Sequence, residues 1–364
     1  MPSAPPSRRS VLRAAVLGGG AALLAGCSGE RLRTPWSPDA PTTQGPDPAT
    51  LPPDAALMLA ARERIHVYRQ VLAQVHAPSA SGRTRVRQLG QDVWPTQQER
   101  LERLLELAGV ELPALAEVDA PGVAAADAGA DATAADAAAG TAGATATDAD
   151  PAADTAGATG DAAAATSARP AGLRPEVLGA QIRADLPVAL RELSGSTVTN
   201  RALLVSLAAQ HAEAARLLGA PVEWQPLAGP TGAAAVPVLA VTRPAVFGLE
   251  VVAARSRGEE RELFESVLRP VQTITRMLTT LAGEAAPVPP LGYDLPEPLA
   301  DAEQRMALAR ALVHDIAPSV LTVVGRAGTD VAQLESMVRI IAEATQWARD
   351  LRAPTVPFPG MTIP

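Results

Sequence analysis

The sequence predicts an all-α fold, an antiparallel helix bundle interrupted by a long low-complexity insertion. Residues of the set AVILMFWYC make up 47% of the 364 residues but aromatics only 2%, so alanine supplies much of the apolar content. Alanine is the best helix former and a poor strand former. Leucine and valine recur at spacings of three and four along several segments joined by short connections. This pattern is typical of neighbouring antiparallel helices.

The net charge of −8 comes from one part of the chain. Residues 119–168 contain eight Asp and no basic residue, so the remainder is neutral overall. No basic face for nucleic acid is expected, and no global field that would steer a charged substrate. The single cysteine excludes an intramolecular disulfide and a cysteine-based metal cluster.

Residues 1–27 contain, in the expected order, the three elements of an exported bacterial lipoprotein signal. Arg8 and Arg9 match the twin-arginine signature, and the apolar run over 14–25 is too short and too rich in glycine to span a bilayer. The residues before Cys27 match the lipobox: Leu24, Ala25 and Gly26. We expect lipid on Cys27 and a location on the extracytoplasmic face of the cell membrane. The alternative is a Sec-type signal with a chance arginine pair and an unmodified cysteine.

The mature chain is expected to begin with a Pro-rich stalk over 28–53. Residues 54–118 should contribute the N-terminal helices of the bundle, one from an Asp54 N-cap to about Ala77 and one from Pro95 to Gly109. Residues 119–170 lack an apolar stripe, so the entropy lost on ordering would go uncompensated. We predict a disordered insertion there, and a role as a spacer or a glycosylated segment stays open.

Residues 171–364 should form the core of the bundle and a C-terminal tail. The predicted helices cover 175–193, 200–218, 244–281 with a break near 256–258, 301–324 and 330–351.

Four landmarks give this region a family resemblance: Ala245–Gly248, Gly292–Pro296, Trp347 and the tail Pro357–Gly360. Residues 200–364 resemble the ferritin-like lipoproteins and exported proteins of high-GC actinobacteria, a family of unknown function. The resemblance implies a four-helix, ferritin-like bundle without an established activity. It also implies a Glu-His pair where this chain has Thr242-Arg243, which puts inherited metal chemistry in doubt.

A ferritin-like di-iron site would need inward carboxylates and two histidines, partly from Glu-x-x-His motifs. Glu63-x-x-His66 is one such motif, but it lies on the polar side of its helix, and His314 is likewise expected to be exposed. His211 lies within an apolar helix face, and Glu250 has apolar neighbours. A buried Glu250 would need a partner, namely a metal, His211 or an arginine.

Two inward candidates are fewer than the three ligands that a transition metal normally needs. We therefore expect no cofactor and assign no catalytic residue, since HExxH, phosphate-loop and GxSxG motifs are absent from the sequence. The first hypothesis is a non-catalytic, membrane-anchored binding or scaffold component of the cell envelope, with an envelope protein or a second copy as partner. The alternative is a divergent metal-binding protein that holds Fe or Mn through His211 and Glu250, with oxidoreductase activity.

Overall fold

The computed structural model describes residues 51–116, 172–296 and 298–362 of the chain. Regular structure in these ranges is helical, apart from one isolated parallel bridge between Val75 and Leu173, and this confirms the predicted all-α bundle. The predicted signal with Cys27, the stalk up to residue 50 and the insertion at 119–170 lie outside the described residues.

The N-terminal helices are α1 (Ala55–Leu72), α2 (Ala80–Gln88) and α3 (Trp94–Leu107), with a π-turn over Leu89–Val93 joining the last two. Helix α1 ends before the predicted Ala77. Helix α2 was missed because it is polar and buries no residue, so it has no apolar stripe to detect. The apolar faces of α1 and α3 pack together around the fully buried Tyr68 and Trp94.

Helices α4 (Pro175–Ser194) and α5 (Val198–Leu217) form a hairpin at nearly the predicted positions. The N-terminus of α5 is capped from a distant part of the chain. The Asp54 carboxylate accepts hydrogen bonds from the Thr197 backbone N–H at 2.8 Å, from the Thr197 hydroxyl and from the Asn200 amide at 2.8 Å. Burial raises the pKa of Asp54, but these hydrogen bonds outweigh it, so the net pKa lies below its ordinary value.

The C-terminal helices are α6 (Val236–Arg255), α7 (Gly258–Ala282), α8 (Ala302–His314), α9 (Ile316–Leu321) and α10 (Val331–Asp350). The prediction that the third helical block begins at Pro244 was wrong, because α6 continues through that proline. Helix α6 is long and apolar enough to cross a membrane by length and composition alone. A core helix has the same composition, and α6 packs against α7, α8 and α9.

Two apolar clusters meet along the α4–α5 hairpin, one with α1 and α3 and the other with α6 to α10. The C-terminal tail connects them. Phe358 is 2% exposed and belongs to the N-terminal cluster. The Gln97 amide on α3 donates to the Pro357 carbonyl at 2.6 Å, and the Ser206 hydroxyl on α5 donates to the Pro359 carbonyl at 2.8 Å. The tail therefore ties the last helix to the first half of the bundle.

Candidate functional site

His211 is buried between α1, α4 and α5. The imidazole ring packs edge-on against the Tyr68 ring, with 5.3 Å between the ring centroids. Its Nε2 atom has no hydrogen-bond partner among the described residues. It lines a cavity of about 30 Å³, enough for one or two water molecules, whose wall includes the Arg64–Glu192 ion pair. Burial, with a smaller contribution from the charge of Arg64, lowers the pKa of His211 to about 3. The imidazole is therefore neutral at physiological pH.

Glu250 does not share this site. The expectation that its apolar neighbours bury it was wrong, since Glu250 is exposed and accepts a hydrogen bond from the Gln272 amide on α7 at 2.8 Å. The physical reason is that Ala240 and Ala254, on the same side of α6, are also exposed, so small residues there mark a solvent face. His211 and Glu250 thus contact different helices, and nothing in the described geometry lets them hold one ion together.

Thr242 and Arg243 stand where the family resemblance implied a Glu-His pair. Thr242 is fully buried with its hydroxyl oxygen unpartnered among the described residues. Arg243 donates to the Pro287 carbonyl at 2.5 Å and fixes the Pro-rich link that follows α7.

The other sequence candidates lie at the surface. Glu63 and His314 are exposed, as expected. His66 is half-buried, and so less exposed than its place on the polar side of α1 predicts. Its Nε2 atom lies 3.1 Å from the Ala116 carbonyl oxygen and also contacts the Gln70 amide. Within the described ranges, no group of three or more His, Cys, Asp or Glu side chains could hold a metal ion.

The most developed polar site is a groove between α5, α7 and α10. This α5–α10 groove has a volume of about 510 Å³, within the range of ligand-binding clefts. Its principal lining residues are Glu213, Arg216, Trp224, Arg339, Trp347 and Asp350. It combines two tryptophans with charged groups of both signs.

Glu213 forms the buried end of an ion network in this groove. Its side chain is 1% exposed and accepts two hydrogen bonds from Arg216, at 2.8 and 2.9 Å, and one from Arg349 at 2.9 Å. Burial raises the pKa of Glu213 to about 7, against the opposing effect of Arg216 and with added repulsion from Asp350. The carboxyl group therefore changes protonation near neutral pH, which is a feature common at functional sites.

The rim of the groove is held in place by Arg339. This guanidinium pairs with Glu343 one turn along α10 at 2.8 Å and donates to the Gln225 carbonyl at 3.0 Å. The second contact anchors the connection after α5, which contributes the half-buried Trp224 to the same groove as the buried Trp347.

Sequence reasoning missed this groove because it joins residues far apart in the chain; Glu213 and Arg349 are separated by 136 positions. The flanking pattern that singled out Glu250 does not mark Glu213. Ala209 and Leu217 lie four residues to either side of Glu213, but Gln210 and Arg216 occupy the positions three residues away.

The fold and the groove define an all-α bundle with a cleft lined by both aromatic and charged side chains. Residues 234–363, just over a third of the chain, match a family described as a domain of unknown function, DUF4439. The chain has no match among curated proteins or solved structures. The matched part contains Arg339, Trp347 and Arg349 but not Glu213 or Arg216, so the groove extends beyond it.

Proposed function

We propose that the mature chain is an exported, lipid-anchored helical protein with a ferritin-like bundle, and that it acts as a non-catalytic binding or scaffold component on the outer face of the cell membrane. The consecutive Arg8-Arg9 pair, apolar run and Leu24-Ala25-Gly26-Cys27 lipobox support export and anchoring. The landmarks shared with actinobacterial ferritin-like lipoproteins support the same assignment.

The observation that supports binding is the composition of the α5–α10 groove. Tryptophan and arginine dominate the binding energy of protein interfaces, and both line this cleft. The Glu213 carboxylate already accepts three hydrogen bonds from Arg216 and Arg349. It therefore holds the two guanidiniums in fixed positions. Fixed arginines beside the half-buried Trp224 suit a segment of a partner protein.

The binding proposal is tested by photo-crosslinking in the source organism. A photoreactive residue is placed at Val222, on the groove, and for comparison at Val288, on the exposed Pro-rich link. We expect a discrete adduct from position 222 that Trp224→Ala abolishes and that position 288 does not give. An adduct with the mass of two copies would identify self-association as the binding mode. Absence of an adduct, or equal adducts at both positions, would refute the groove as the binding site.

Anchoring is tested separately by fractionation. Cys27→Ala should release the exported chain from the membrane, and replacing Arg8 and Arg9 by lysine should leave it in the cytoplasm. Retention of both variants in the outer-face membrane fraction would contradict the proposal.

The unpartnered Nε2 of His211 is the one observation that favours the metal-binding alternative. Elemental analysis of the purified full chain decides this point. Stoichiometric Fe or Mn that is lost on His211→Ala would replace the scaffold proposal by a metal-binding protein with potential redox activity.

A further inference from the structure

A further pocket, separate from the His211 cavity and from the α5–α10 groove, lies between α1, α2 and the π-turn. We call it the α1–α2 pocket. It measures about 800 Å³, within the range of small-molecule sites. Its polar side chains include His66, Arg69 and Arg87 and several glutamines, whereas its apolar surface includes Leu72, Val86 and Leu115. None of the lining residues is Asp or Glu.

The positive charge of this pocket is not neutralised locally. Helix α2 contains Arg83, Arg85 and Arg87, no acidic residue and no buried residue. Within the described part of the chain Arg87 makes no ion pair, and the contact of Arg69 is to the neutral Gln98 amide oxygen at 2.6 Å. Against the effect of burial, the charge of Arg69 helps to lower the pKa of Glu102, but the Glu102 carboxylate already forms an ion pair with Arg62 at 2.7 Å. Two guanidiniums therefore border the cavity with hydrogen-bonding capacity left for an anion.

The π-turn Leu89–Val93 shapes one wall. It places Gln91 on the pocket and brings Gly90 so close to α1 that a Cβ atom there would lie 3.1 Å from the Leu72 Cδ2 atom. Single π-turns within helices are frequent at functional sites. Here the turn contributes Gly90 and Gln91 to the lining of the same pocket as Arg69 and Arg87.

We propose that the α1–α2 pocket binds an anionic amphiphile. Its phosphate or carboxylate head would be held by Arg69 and Arg87, whose forked guanidiniums suit such oxyanions. Its apolar portion would lie on Leu72, Val86 and Leu115. This site is separate from the α5–α10 groove, so either proposal can fail alone. The ligand can be a membrane phospholipid or a free phosphorylated or carboxylated amphiphile, which share the chemistry.

The test uses purified full chain with Cys27→Ala, so that no attached lipid competes, and calorimetric titration with dihexanoyl phosphatidylglycerol below its micelle concentration. We expect it to bind about tenfold more tightly than dihexanoyl phosphatidylcholine, which has no net negative charge. Arg69→Gln combined with Arg87→Gln should weaken binding by more than about tenfold, the size expected for lost charge-assisted contacts. The matched control is Arg276→Gln, an exposed arginine on α7 outside the pocket, which should leave affinity unchanged.

Several outcomes would overturn the proposal. Equal affinity for the two lipids, or full binding by the double variant, would exclude anion recognition by these arginines. Inorganic phosphate binding as tightly as the lipid would show that the apolar wall contributes nothing. Binding to phosphatidylglycerol vesicles without binding to the monomeric lipid would show that the chain is only attracted electrostatically to an anionic membrane surface. Mass spectrometry of chain purified without added ligand then distinguishes the sources, since a retained phospholipid or a retained soluble amphiphile would each support the shared chemistry.

Discussion

The buried imidazole of His211 should make the stability of the bundle depend on pH. Its folded-state pKa is lowered to about 3, whereas the ordinary value is 6.5. Between these values the unfolded chain binds one more proton than the folded protein, so the stability that the neutral ring contributes is full above pH 6.5 and is lost as the pH falls toward 3. The loss is about 1.4 kcal/mol per pH unit, or about 3 kcal/mol between pH 6.5 and 4.5.

The substitution His211→Gln isolates this contribution, because every other titrating group is common to both proteins. Urea unfolding of the two chains at pH 7.5 and 4.5 gives the difference in their free energies of unfolding at each pH. We expect the advantage of the wild-type chain to shrink by about 3 kcal/mol on acidification, whatever its size at pH 7.5. His314→Gln, at an exposed position on α8, is the matched control for replacing a histidine by glutamine. A difference that stays constant with pH for His211→Gln would refute the reasoning and would show that the small cavity hydrates the ring.

Three further predictions are tested by the same measurement, two of them with a control variant. Glu213→Gln should give the opposite sign, because burial raises the pKa of the folded carboxyl to about 7. The wild-type advantage should therefore fall as the pH rises from 4.5 to 7. Asp54→Ala should cost about 1–2 kcal/mol by uncapping α5, while Asp54→Asn, which keeps an acceptor, should cost less. Phe358→Ala should cost about 3–5 kcal/mol, and Val356→Ala at a half-buried position clearly less; equal costs would show that the tail is not held by Phe358.

The sequence was sufficient to predict those helices that have a strong apolar stripe. Helices α4, α5 and α10 begin and end within two residues of the predicted bounds, because leucines and valines recur along their buried faces. The short α2 could not be found this way, since no residue of it is buried and its position depends on the π-turn that joins it to α3. The early start of α6 was hidden by Pro244, which ordinarily ends a helix.

The candidate site was much less predictable, for a physical reason. Apolar neighbours on one helix do not reveal which side another helix covers. Apolar flanking therefore marked the solvent-facing Glu250, whereas the buried Glu213 has Gln210 and Arg216 three residues away and was not marked. What separates them is the partner helix. Side chains of α10 cover Glu213, and Arg349 supplies a counter-charge that makes its burial tolerable. One sequence does not show which distant helices pack together, so it does not distinguish the buried Glu213 from the exposed Glu250.

The α5–α10 groove is formed partly by the family-matched residues 234–363 and partly by α5, which lies outside the match. Residues 234–363 supply α10 with Arg339, Trp347 and Arg349, but the buried acid that holds Arg349 in place is on α5. Helix α5 also covers the apolar face of α10 and contributes to both clusters. Removing the first half would therefore expose apolar surface on α10 and leave Arg349 without its carboxylate. Any activity of the matched region that depends on this groove must accordingly be sought in the whole bundle, with α4 and α5 present.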